Sequence, residues 1–128
     1  MSKETKKFLD KKGEELIIVM NKTNIVLESG KDFEGFNLSF DFDKKTFEEV
    51  REVIINFSNK VWSSFNPKEA TSEGSDYYEY YDKTFDNNGY LSTRDYWLSC
   101  ERPVKESLKL YQLNKRKAES LVFDLLKE

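Results

Sequence analysis

The chain has 128 residues, of which 38% are apolar and 35% charged, with a formal charge of −3. That length suits one domain with one core, and ten Phe, seven Tyr and two Trp supply the bulk to fill it. A single cysteine, Cys100, excludes an intramolecular disulfide, and the absence of histidine excludes Ser-His and Cys-His nucleophiles and the usual base near neutral pH.

Residues 1–14 carry five lysines against three acids and, after Met1, offer only Phe8 and Leu9 as large apolar groups. They read as a polar N-terminal tail or short helix, ahead of a single α+β domain over 15–128. A basic nucleic-acid arm would need more than this local charge of +2. No apolar h-region follows the lysines, and no apolar run approaches the roughly 20 residues that span a bilayer. A cytoplasmic protein with no membrane partner is expected.

Leu16–Met20 is a β-branched run, Asn21–Asn24 is turn chemistry, and Ile25–Leu27 is apolar again. The pattern predicts a hairpin, with Glu28–Asp32 as the next loop. Phe36, Leu38, Phe40 and Phe42 alternate with Asn37, Ser39 and Asp41, which is the period of a strand with one buried face.

A helix is predicted next. Thr46 and Glu49 have the spacing of a capping box, and Phe47, Val50, Ile54, Phe57 and Val61 lie on one helical stripe. Val53, Ile55 and Trp62 widen it, and Asn66-Pro67 is the expected stop.

Lys68–Gly74 reads as a polar loop. The turn signal Asp86-Asn87-Asn88-Gly89 predicts a second hairpin, with strands at 77–84 and 90–99 that set Tyr80 against Tyr96 and Asp82 against Arg94. Pro103 opens a helix predicted to run to about Lys127, its stripe interrupted by Lys115-Arg116-Lys117. The expected fold is α+β: a mostly antiparallel sheet of about five strands with two main helices on one face, in the order βββαββα.

Residues 84–95 resemble an EF-hand calcium loop, with Asp86 and Asn88 at ligand positions, Gly89 at the sharp turn and Asp95 at the closing acidic position. They depart from it where Thr84 replaces the first Asp and Asp95 replaces the longer Glu. A hairpin turn is the expectation, and neither a metal nor a cofactor is expected. Asp41 and Asp43 share a strand face as a carboxylate pair, and Cys100 has Arg102 nearby. A solvated strand face and a buried small thiol are the simpler readings.

Between Lys68 and Asp86, six acids oppose two lysines, a local charge of −4, interleaved with tyrosines. Tyrosine beside carboxylate is a recurring composition of recognition surfaces. The candidate partner-binding residues are therefore Asp76, Tyr77, Tyr78, Glu79, Tyr80, Tyr81 and Asp82, with Arg94 and Tyr96 across the hairpin.

The five glycines form neither GxGxxG nor a phosphate-cradling loop, and the expected function is non-enzymatic. It is that of a small protein which masks or inhibits a partner protein, as immunity proteins, antitoxins and phage inhibitors such as anti-CRISPRs do. A nuclease or other nucleic-acid-binding protein is the expected partner, since an acidic patch is steered to a basic site. Direct nucleic-acid binding is not expected at a sequence pI near 5.2. The alternatives are a metal-assisted enzyme using carboxylates and an accessory nucleic-acid binder that stacks bases on aromatic rings. Abundant Lys, Asn and Phe with two Ala suits an AT-rich bacterial or phage genome.

Overall fold

The β-branched run and its apolar successor form the expected hairpin, β2 (Glu15–Met20) and β3 (Ile25–Ser29), paired antiparallel. Asn21 and Asn24 close its turn through a backbone bond of 2.9 Å and a side-chain bond of 2.8 Å. In this computed structural model residues 3–30, 37–69, 90–101 and 109–127 are described. The N-terminal segment is neither tail nor helix: β1 (Glu4–Leu9) pairs antiparallel with β2 from Glu4–Met20 to Leu9–Glu15. Pairing satisfies the amides and carbonyls along that side of β2. Phe8 packs toward the core, and Lys6 and Lys7 remain exposed on the edge strand, where lysine discourages edge-to-edge association. Gly13, at φ +87°, supplies the left-handed residue that the β1–β2 turn requires.

The alternating segment is β4 (Asn37–Asp41), with Leu38, Phe40 and Phe42 buried and Asn37 exposed; Phe36 lies outside the described residues. The helix α1 (Lys44–Val61) follows, and Phe47, Val50, Ile54 and Phe57 are buried as their spacing requires. Its cap differs from the expected box. Asp43, not Thr46, is the N-cap, and its carboxylate accepts from the Thr46 amide at 2.7 Å. Asp43 stands three residues before Thr46, the span at which a cap side chain reaches the third helical amide. The helix also ends sooner than Asn66-Pro67, at Trp62, whose amide donates to the Ser58 carbonyl at 3.0 Å.

Chain reversal comes at Asp95-Tyr96, between β5 (Tyr90–Arg94) and β6 (Trp97–Glu101), so the single strand expected over 90–99 is two strands of one hairpin. Its expected partner at 77–84 and the turn at 86–89 lie outside the described residues. The long C-terminal helix is likewise shorter than expected. Residues Lys109–Leu113 form β7, and α2 spans Lys115–Leu126 behind the N-cap Asn114, whose side chain accepts from the Lys117 amide. Lys115-Arg116-Lys117 is thus a first helical turn, not an interruption of a stripe.

The class is α+β, and the seven strands found among the described residues divide between two antiparallel sheets. One has the order β1-β2-β3-β7 and the other β4-β6-β5. A single core joins them, with Leu16, Ile18 and Leu27 of the first sheet, Phe40, Leu91 and Leu98 of the second, and the apolar faces of both helices. Helix α1 packs on β1, β2 and β3, and α2 lies against α1 and β7.

Candidate functional site

Alternation along β4, β6 and β5 turns Leu38, Phe40, Leu91, Leu98 and Cys100 into the core and presents a second face outward. The register arranges that outer face in rows. Ser39, Ser99 and Ser92 form the middle row, and the Ser39 and Ser99 hydroxyls share a 3.0 Å hydrogen bond. Asp41, Trp97 and Arg94 form the row nearest the Asp95-Tyr96 turn. Toward the turn, small hydroxyls thus give way to a large aromatic between an acid and a base.

The turn itself is exposed. Asp95 has φ +54°, the left-handed region that Asp tolerates better than most residues. Arg94, Asp95, Tyr96 and Trp97 are four successive exposed residues, with Tyr96 38% and Trp97 41% accessible. Both rings are nonetheless held. The Tyr96 ring meets that of Phe47 in α1 at 5.6 Å between centroids, and the Tyr96 carbonyl accepts from the Phe42 amide at 3.1 Å. Lys12 reaches across from the β1–β2 turn. Its ammonium donates to the Ser39 carbonyl at 2.8 Å and stands 5.4 Å from the centroid of a Trp97 ring.

Charge around the turn is mixed. Lys11 faces Asp41 at 4.0 Å. The Asp43 carboxyl is held below its ordinary pKa, chiefly by the Thr46 amide and hydroxyl and then by Lys11 and Lys45 nearby. Arg94 makes no ion pair among the described residues. Behind the face, burial pushes the Cys100 thiol up to about 12, so it is a thiol and not a thiolate at neutral pH.

Beside Trp97, on the β5 side, lies a depression of about 520 Å³ lined by Ser92, Thr93, Arg94, Asp95, Trp97 and Ser99. A volume of that order matches small-ligand sites.

Of the residues singled out from sequence, Arg94 and Tyr96 come together at this turn. Asp76 through Asp82, and with them the acidic tyrosine stretch, lie outside the described residues, as do Asp86 and Asn88. Asp95 stands at the turn, and among the described residues no group of three or more His, Cys, Asp or Glu could hold a metal ion. Asp41 and Asp43 are engaged separately, one opposite Lys11 and the other as the cap of α1. Sequence reasoning missed Trp97 and Lys12. A tryptophan after Asp-Tyr carried the signal, but the turn chemistry at Asn87–Gly89 drew the reversal away from it. Lys12 is 85 positions before Trp97, and only the docking of the β1–β2 turn on β4 brings them together.

Among the described residues no helix is long and apolar enough to cross a membrane. No family model, no curated protein and no solved structure matches the chain.

Proposed function

We propose that the protein is a non-enzymatic binding module that docks on a partner protein through the Arg94–Trp97 turn and masks or inhibits it. The observation that carries this reading is the exposure of Arg94, Tyr96 and Trp97 together, with both rings already held in place. Those three residue types dominate the energetics of protein interfaces. A ring that is held before docking loses less rotamer freedom on docking, and here Phe47 and Lys12 do the holding. The sequence of 76–82, rich in acids and tyrosines, suits a basic partner, such as a nuclease or another nucleic-acid-binding protein. An immunity protein, an antitoxin or a phage inhibitor of the anti-CRISPR kind acts in this way, in the cytoplasm of a bacterial host.

The test is affinity capture from host lysate with mass spectrometry, comparing the native chain with Arg94→Glu, Tyr96→Ala and Trp97→Ala. A partner retained by the native chain and lost by at least two of the three supports the docking surface. Equal retention by all four chains rules the turn out as the interface.

A further inference from the structure

The depression beside Trp97 combines three kinds of group: an indole, a guanidinium and a pair of hydroxyls. Trp97 offers an aromatic wall that is 41% accessible. Arg94, its partner across the β5–β6 register, is an exposed guanidinium with no ion pair among the described residues. Ser92 and Ser99 are opposite each other in that register and line the depression between them with hydroxyls. Hydroxyls both donate and accept, an indole stacks on planar rings, and a guanidinium matches the geometry of phosphate oxygens.

Lys12 narrows the choice of ring. It approaches the indole from the β4 side, where it is bonded to the Ser39 carbonyl, whereas the depression opens on the β5 side. An ammonium already over the indole draws on the ring's negative quadrupole. A second cation on that indole is therefore disfavoured, and a neutral planar ring is favoured. Arg94 then calls for an anionic group attached to that ring, and Asp95 at the rim can accept from sugar hydroxyls.

We propose that this depression is a nucleotide-binding site, in which a base stacks on Trp97, its phosphate meets Arg94, and the Ser92 and Ser99 hydroxyls bond polar groups of the base or sugar. The same chemistry could arrive as a free mononucleotide or as one unit of a single strand. The site shares Trp97 and Arg94 with the docking surface proposed above, yet it needs no protein partner and stands or falls separately.

The experiment uses the full chain carrying Trp62→Phe, so that Trp97 is the remaining indole. Its fluorescence is titrated with AMP, with UMP, with inorganic phosphate and with a 12-residue oligo-dT. Saturable quenching by at least one nucleotide ligand, with phosphate alone at least about tenfold weaker, is expected, because base stacking on an aromatic side chain is worth roughly that factor or more. Calorimetry on the chain with both tryptophans should show binding weakened about tenfold or more by Trp97→Ala and by Arg94→Gln, and restored in part by Trp97→Phe and Arg94→Lys. Tighter binding of the oligonucleotide with a steep salt dependence assigns the site to single strands; equal binding of mononucleotide and oligonucleotide assigns it to free nucleotide. The proposal is overturned by no saturable change at millimolar ligand, by phosphate binding as well as nucleotide, or by Trp97→Ala binding undiminished while its circular dichroism remains native.

Discussion

Asp10 and Asp41 join the two sheets through one hydrogen bond: Oδ2 of Asp10 accepts from the Asp41 amide at 2.9 Å across 31 positions of chain. The other oxygen, Oδ1, accepts from the amides of Lys12 and Glu14 at 2.9 and 2.8 Å, and the side chain is wholly shielded from solvent. One carboxylate therefore both shapes the β1–β2 turn and docks it on β4. The Lys11 amide adds a bond to the Asp41 carbonyl at 3.0 Å. This docking also places Lys12 against Trp97, so the candidate site depends on a carboxylate that does not line the depression itself.

Asp10→Ala leaves three amides without their acceptor. A shielded donor without a partner costs about 1–3 kcal/mol, and water admitted by the smaller side chain offsets part of the loss. A net loss of about 3 kcal/mol in urea unfolding is expected, and a change below about 0.5 kcal/mol would refute the role. Asp10→Asn should fall between, because its Nδ2 cannot accept from an amide.

The caps of the two helices separate by pH. Asn114→Ala removes the acceptor for the Lys117 amide and should cost about 1 kcal/mol at any pH. Asp43 is a titrating cap whose folded pKa lies below its ordinary 3.8. Its contribution is complete above 3.8 and is lost as pH falls through the lower folded value. Asp43→Asn should therefore leave neutral-pH stability nearly unchanged and flatten the acid limb of a melting-temperature profile. An acid limb identical to that of the native chain would show that the Thr46 bonds do not set this pKa.

How much was legible in advance follows the range of the forces involved. Period-two alternation at Leu38, Phe40 and Phe42, and helical spacing from Phe47 to Phe57, are written in neighbouring residues and came through. Caps and reversals are decided by competition between equally plausible polar groups. Asp43 outcompeted Thr46, Asp95-Tyr96 carries a reversal that no Gly or Asn signals, and Asn114 cuts a helical-looking stripe in two. Over 109–113 that stripe is overridden by sheet pairing, since β7 completes the hydrogen bonding of β3 and buries Leu110, Tyr111 and Leu113. The Arg94 and Tyr96 half of the candidate site was visible as composition. Its Lys12–Trp97 half rests on sheet-to-sheet docking, which no local pattern encodes.

Cys100 is buried on the core side of β6, with its pKa raised to about 12 by desolvation. The raised value means that the folded state holds its proton while the unfolded thiol loses it from about 9.0 upward. The resulting stability is present below that pH and declines as pH climbs toward 12. At pH 8 the native chain should react with a disulfide reagent orders of magnitude more slowly than the urea-unfolded chain, at a rate that tracks opening. Comparable rates in the two states would place the thiol at the surface.

The stretch after α1 is strapped to α2 by two residues of opposite charge. Glu119, whose side chain is 4% exposed, accepts from the Asn66 amide at 3.0 Å and faces the Lys68 ammonium at 3.6 Å, while its carbonyl accepts from the Lys68 amide. Arg116 donates to the carbonyls of Lys68 and Glu69 and to the Ser120 hydroxyl. These bonds compensate the burial of charge in α2, which a helix face would otherwise avoid. Glu119→Ala leaves the Asn66 amide without its acceptor and should cost about 2 kcal/mol, within the range for hydrogen bonds to charged groups, whereas the exposed Lys68 ammonium turns to water. Arg116→Ala acts at a more exposed position and should cost less than half of that. In both variants limited trypsin digestion should cut after Lys68 faster than in the native chain, because the strap then opens without global unfolding. A Glu119→Ala chain that melts with the native one and resists trypsin equally at Lys68 would show that the segment is held by the packing of Phe65 on the core and not by this ion network.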